Sequence, residues 1–187
     1  MTRQEKIEYI TALRERLVRE ARTDLLPFTR ATMPTFDPAE FHIRYYHVLT
    51  LFAEGKIKKL MVFMPPQHGK SEGSTRRLPA YMLGRNPDNK IAVVSYSAPK
   101  ARKFNREIQR IIDTPEYAEI FPETRLNSSN ITTVAGAWLR NADECEIVGH
   151  RGGFKTVGVG GPLTGEPVDT LITVSYTHLT LPTNSLV

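Results

Sequence analysis

The sequence predicts an α/β fold: a parallel sheet flanked by helices, with a helical segment in front of it. Three observations predict it. Leu60, Met61, Val62, Phe63 and Met64 form a short apolar run with no charge inside it, as a central parallel strand buried on both faces requires. A second β-rich run, Ile91-Ala92-Val93-Val94-Ser95-Tyr96-Ser97, comes after a turn at Asn86-Pro87-Asp88-Asn89. Each run leads into a stretch with helical spacing, and strand-helix-strand-helix in this rhythm predicts right-handed crossovers on a parallel sheet.

The elements are justified in chain order. Thr2-Arg3-Gln4-Glu5 reads as a capping box opening a helix. Ile7, Ile10, Leu13, Leu17 and Ala21 then recur near three- and four-residue spacing, predicting an amphipathic helix to about Arg22 that packs on its own domain. Its polar positions carry mixed charge, which argues against a membrane-surface role. Pro27, Pro34 and Pro38 punctuate a linker. Asp37 as N-cap, Pro38 at N1 and Glu40 at N3 predict a second helix that stops near Gly55. It carries Phe41, His42, Tyr45, Tyr46 and His47, either as an adenine-stacking platform or as core aromatics with surface histidines.

After Ser71 a helix is expected to about Arg77, with Pro79 kinking or ending it. Ser97 and Pro99 open a helix from Ala98 to Ile112 with Phe104, Ile108, Ile111 and Ile112 as its apolar stripe. Lys100, Arg102, Lys103, Arg106 and Arg110 lie on the same helix, as a solvated or a phosphate-tracking face. A short helix is expected from Pro115 to Phe121. Short strands at 131–134, 145–148 and 154–159 predict antiparallel hairpins. Gly158, Gly160, Gly161 and Gly165 bracket Pro162-Leu163-Thr164 as a tight loop whose backbone approaches a ligand or strand closely.

Composition narrows the function classes. The 187 residues are 40% hydrophobic and 24% charged, room for one ordinary domain with a small appendage. No apolar run nears the roughly 20 residues that span a bilayer. The N-terminus is charged from Arg3, with no secretory h-region. Cys145 is the single cysteine and forms no intrachain disulfide, which favours an intracellular home. A net charge of +5 with pI near 9.4 permits nucleic-acid contact without demanding it.

The chemistry lies at residues 64–71, Met-Pro-Pro-Gln-His-Gly-Lys-Ser. Phosphates carry dense negative charge and many acceptor oxygens. A loop of free backbone N–H groups running into a helix N-terminus offers donors and a favourable dipole. Gly69 permits close backbone approach, Lys70 places an ammonium on the β- and γ-phosphates, and Ser71 offers a hydroxyl to Mg²⁺ bridging them. This is the P-loop layout of strand, loop and helix, except that Met64 occupies the first glycine's place. Gln67 and His68 complete the candidate nucleotide-binding set, with His68 contacting phosphate or filling space. Lys70 is the candidate catalytic residue and Ser71 the candidate metal contact through the nucleotide.

The segments MPPQHGKSE, KIAVVSYSAPKARKFNREIQRII and VGVGGPLTGEPVDTLI, in this order, together resemble the ATPase domain of the phage terminase large subunit, the DNA-packaging motor. The resemblance covers about residues 36–172. It implies an ASCE-type P-loop NTPase fold, ATP with Mg²⁺, and a parent that couples ATP hydrolysis to translocation of double-stranded DNA into a procapsid. The implied partners are double-stranded DNA, the procapsid portal protein, a small terminase subunit and further copies in a homo-oligomeric ring, with no membrane. The implied location is the host cytoplasm, and a C-terminal nuclease domain is implied for the parent. A helicase-like DNA-dependent P-loop ATPase and a non-catalytic basic DNA-binding fragment are the alternatives.

Two departures matter. Gln67 stands where similar relatives often carry arginine, and glutamine donates a hydrogen bond but adds no charge. The apolar strand begun at Val168-Asp169-Thr170-Leu171-Ile172 is not followed by the acidic pair of a Walker B element. From Thr170 onward there is no Asp, Glu, Lys or Arg, a composition similar to translated sequencing-adapter read-through. The sequence therefore predicts a helical segment at 1–55, an incomplete P-loop ATPase domain at 56–172 and a non-native tail at 173–187. It also predicts weak nucleotide binding with negligible hydrolysis, because the carboxylates needed to hold Mg²⁺ and orient water are missing.

Overall fold

The computed structural model describes residues 2–132, 136–161, 163, 165 and 167–174. Residues 175–187 of the expected tail, residues 133–134 of the first short strand, and Pro162 and Thr164 of the glycine-bracketed loop lie outside them. The fold is α/β, a mixed four-stranded sheet flanked by helices, in the order β2-β3-β1-β4. The strands are β1 (Lys90–Ser95), β2 (Glu144–Glu146), β3 (Gly153–Gly158) and β4 (Thr170–Val174). β1 is central and runs parallel to β3 and β4, with Ile91 opposite Phe154 on one side and Thr170 on the other. β2 pairs antiparallel with β3, Cys145 facing Phe154. The predicted antiparallel hairpin therefore exists at β2-β3. The prediction needs one correction: β3 is also a parallel neighbour of β1, because its alternate buried residues Phe154 and Thr156 share the face that β1 presents. β4 runs two residues past Ile172, and its start is fixed by the Asp169 carboxylate, which accepts from the Lys90 amide at 2.8 Å.

Helix α1 (Arg3–Thr23) opens with the predicted capping box, Thr2 and Glu5 each accepting the other's backbone N–H. It packs on its own domain as expected, against Leu25–Thr32 and Pro115–Ile120, but not through the predicted apolar stripe. Ile7, Ile10, Leu13 and Leu17 are exposed and only Ala21 is buried, since the helix meets its neighbours near its C-terminal end. The expected linker contains a helix, α2 (Leu25–Thr32), capped by Asp24 onto the Leu26 amide. Pro27 sits in its first turn, where no intrahelical N–H is required, so the proline does not break it. Helix α3 (Glu40–Ala53) begins later than predicted: Ala39, not Asp37, is its N-cap, and His42 Nδ1 accepts the Ala39 N–H at 3.1 Å. Its end at Gly55, φ +74°, matches the expectation.

Past Lys70 the chain stays helical through Pro79 rather than stopping there. Residues Glu72–Arg77 form a π-helical turn in which the Leu78 N–H reaches back to the Gly73 carbonyl, and α4 (Leu78–Arg85) continues it. A proline at 79 has no N–H for the Thr75 carbonyl and its ring crowds that carbonyl; a widened turn relieves both. Helices α5 (Ala98–Ile112) and α6 (Pro115–Ile120) lie as predicted. Gly158 is required where β3 meets α5, since a Cβ there would lie 2.6 Å from the Ala98 nitrogen.

The core is one continuous cluster. Phe28, Tyr81, Tyr117 and Phe121 form an aromatic cluster between α2, α4 and α6, with ring centroids 5.5–6.2 Å apart. Phe104 and Ile108 of α5 belong to the same continuous core as Ile91, Val93 and Phe154 of the sheet.

The largest departure is the run at 60–64. It belongs to no strand of the sheet. Leu60, Val62 and Met64 pack against the core, while Met61 and Phe63 are 79% and 85% exposed. A two-sided burial was expected from its composition. Only one face is covered, because no described segment lies alongside to cover the other.

Candidate functional site

The Gly-Lys-Ser loop is shaped by its backbone. Pro65 and Pro66 fix the exit from the apolar run. Gln67 then adopts φ +63° and Gly69 φ +74°. Glycine enters the left-handed region freely; glutamine does so at a cost, and such residues collect where a loop must hold a particular shape. Helix begins at Lys70, so the first N–H groups there lack intrahelical partners.

Each sequence-predicted residue has a definite place. The Lys70 ammonium reaches back over the loop and donates to the Met64 carbonyl at 3.2 Å. Ser71 lies at the head of the π-helical turn and its hydroxyl makes no cap bond. His68 is exposed; its Nδ1–H donates to the Pro66 carbonyl at 2.7 Å, which holds the ring against the loop. Phe41 lies 5.7 Å from the His68 ring and 4.0 Å from His42. Gln67 is exposed. Lys70, Ser71, Gly69 and His68 are thus gathered on one turn of chain. Asp169 is committed elsewhere, to the start of β1.

Several supporting residues were not evident in the sequence. A Cβ on Gly69 would meet His42 Nε2 at 3.0 Å, so α3 forms the floor of the loop. The Tyr45 hydroxyl donates to the Lys70 carbonyl at 2.8 Å, and the Ser74 hydroxyl donates to the same oxygen at 2.8 Å. Burial pushes the Tyr45 phenol up to about 12, so it remains a donor across the physiological range. Gly73 is needed for this contact, since a Cβ would lie 2.7 Å from the Tyr45 ring. Tyr45 and Tyr46 are buried and offer no free stacking face; Phe41 remains exposed.

Glu72, directly after Ser71, is the hub behind the loop. One oxygen accepts from Arg77 Nε at 2.7 Å and the other from Arg76. Arg76 also holds Glu107 of α5 at 2.6 Å, and Arg77 donates to the Thr32 hydroxyl of α2 at 2.7 Å. Burial acts to raise the Glu72 carboxyl, but the Arg77 and Arg76 guanidiniums outweigh it and hold it below the usual carboxylate range. The sequence signal for this hub was the i, i+4 and i, i+5 placing of two arginines after one glutamate. Among the described residues no group of three or more His, Cys, Asp or Glu side chains is placed to hold a metal ion.

A sequence model described as "Terminase large subunit, T4likevirus-type, N-terminal" matches residues 61–155, more than half of the 187. The chain belongs to the terminase large subunit family. The matched terminase region takes in the loop, the Glu72 hub, β1 and α5. The resemblance is thus borne out, with the first two motif segments inside the match and the third just beyond it. No curated protein matches the chain. No helix among the described residues is long and apolar enough to cross a membrane.

Proposed function

We propose that the Gly-Lys-Ser loop is a P-loop that binds the β- and γ-phosphates of ATP with Mg²⁺. We further propose that the parent protein is an ASCE-type ATPase driving double-stranded DNA into a procapsid. The observation that carries the reading is the gathering of Lys70, Ser71 and a left-handed Gly69 at the start of a helix, with the Lys70 ammonium turned over the loop. These residues fit a triphosphate: they offer one cation, one hydroxyl and a run of helix-terminal N–H groups. ATP supplies the phosphoanhydride bond whose hydrolysis drives transport. Lys70 would hold its phosphates and Ser71 its Mg²⁺, while Gly69 lets the backbone approach. Tyr45 and the Glu72 hub orient the turn that carries Lys70. Phe41, near His68, offers an exposed aromatic face beside the loop for a base.

Glu72, beside the loop, is held by two arginines, and Asp169 is taken up at the start of β1, so neither is free to orient water. This chain is therefore expected to bind nucleotide weakly and to turn it over negligibly. Family membership weighs against the helicase-like alternative. Double-stranded DNA, the portal, a small terminase subunit and sister copies in a ring are the proposed partners, in the host cytoplasm.

The test is calorimetric titration of the chain with Mg·ATP, alongside Lys70→Ala. Loss of a charged donor removes about 1.5–3 kcal/mol, or ~10- to 150-fold in affinity. Equal affinity in the two proteins would overturn the loop assignment. Turnover by the unsubstituted chain that vanishes in Lys70→Ala would overturn the claim of negligible hydrolysis.

A further inference from the structure

A concave site lies against the C-terminal half of α5, sharing no residue with the Gly-Lys-Ser loop. It is a cavity of about 450 Å³ whose lining includes Arg106, Arg110, Arg140, Asp113, Asn130 and Asn141. Its wall is built and rigid. Arg140 donates to both Asp113 oxygens, to the Asn127 carbonyl and to the Gln109 side chain, so its charge is neutralised and its position fixed. Gln109 is held in turn by the Asn105 side chain and the Asn141 carbonyl. The Asn141 side-chain oxygen accepts from the Asp143 and Glu144 amides, which directs its NH₂ away from them.

Against this wall stand two arginines of a different kind. Arg106 and Arg110 are exposed, and neither makes an ion pair or hydrogen bond with the described residues. Other cations on the same helix are engaged: Arg102 with Asp143 and Lys103 with Glu107. The one acid in the cavity, Asp113, is already matched by Arg140. The cavity thus carries an uncompensated charge of two guanidiniums, one helical turn apart (Cβ separation about 5–6 Å), beside amide donors.

We propose that this cavity binds phosphate groups of a nucleic-acid backbone, with Arg106 and Arg110 each taking one phosphodiester. Planar guanidinium forks match phosphate oxygens, and neutral amide donors add hydrogen bonds without repelling the second charge. An i, i+4 pair puts two such forks within reach of neighbouring phosphates of one strand.

The test measures binding of a fluorescent duplex oligonucleotide to the full chain, without nucleotide, across a salt series. This keeps the outcome separate from that of the ATP-loop reading. Arg106→Ala/Arg110→Ala should lower the slope of log affinity against log salt by about 2, close to ~0.9 per lost phosphate contact. The control Arg3→Ala/Arg19→Ala removes the same charge from α1 and should leave the slope almost unchanged. Arg106→Lys/Arg110→Lys should keep most of the slope while weakening binding. Unchanged melting and far-UV circular dichroism are expected, since both side chains are exposed and unpaired. Equal slopes for the cavity and control pairs would overturn the proposal. Displacement of the duplex by millimolar inorganic phosphate at constant ionic strength would make a small anion the ligand and overturn the nucleic-acid assignment. Equal competition by polyglutamate would overturn phosphate recognition altogether.

Discussion

Two apolar runs of nearly the same length and hydrophobicity meet different fates. Ile91 to Val94 sit in the middle of the sheet, with Ile91, Ala92 and Val93 almost wholly buried. Residues 60–64 join no described strand, and Met61 and Phe63 face solvent. The difference teaches that burial belongs to neighbours rather than to composition. β1 has a strand on each side and α5 packed against it. The run before the Gly-Lys-Ser loop has no described strand beside it. The helical turn beyond that loop is held by polar ties: Tyr45 on the Lys70 carbonyl and Glu72 on two arginines. One limb of the domain is secured by apolar burial, the other by hydrogen bonds and ion pairs.

That contrast can be broken by substitution. Ile91→Ala, at a site 2% exposed, is expected to cost about 2–5 kcal/mol in denaturant unfolding. An equally large cost for Phe63→Ala would erase the distinction, whereas an effect within ~0.5 kcal/mol upholds it. Glu72→Gln should cost about 1–3 kcal/mol by leaving Arg76 and Arg77 without their shared charge. It should also change the acid response. The folded Glu72 carboxyl lies below its unfolded value of roughly 4.3, so its contribution is complete above that pH and fades as pH falls through the lower folded value. Urea midpoints compared at neutral pH and near pH 3 should differ less for Glu72→Gln than for the unsubstituted chain; identical pH dependence would show that the hub does not carry it. A smaller effect than that of Glu72→Gln is expected of Tyr45→Phe, about 0.5–1.5 kcal/mol, with weakened Mg·ATP binding as the sharper readout. Unchanged nucleotide affinity there would separate Tyr45 from the orientation of Lys70.

Legibility in the sequence divides along the same line. α1, α5 and α6 carry their own start signals: the Thr2–Glu5 box, Pro99 in the first turn of α5, where Ser97 is the N-cap residue without a side-chain cap bond, and Thr114 with Pro115. Local chemistry decides such ends, so the sequence displays them. α2 was hidden because Pro27 reads as a breaker until its place in the first turn is known. The exposure of α1's apolar stripe and of Phe63 could not be read, since periodicity records which face is apolar and not what covers it. At the loop, Gly69, Lys70 and Ser71 were legible from type and spacing. His42, Tyr45 and Thr32 were not, because they reach the site from α3 and α2 across 25 to 45 positions of chain.

The widened turn at Glu72–Arg77 also sets an angle. An α-helix advances about 100° per residue, so one extra residue within a turn rotates everything beyond it by that amount. Lys70 and Ser71 are upstream of the rotation, and Leu78, Ala80, Tyr81 and Leu83, all buried, are downstream. Had the turn been wound normally, the face of α4 that now meets Phe28 and Phe121 would point roughly a quarter-circle away whenever Lys70 faced the loop. The single extra residue is what lets one continuous rod aim its first turn at the loop and its last two at the aromatic core.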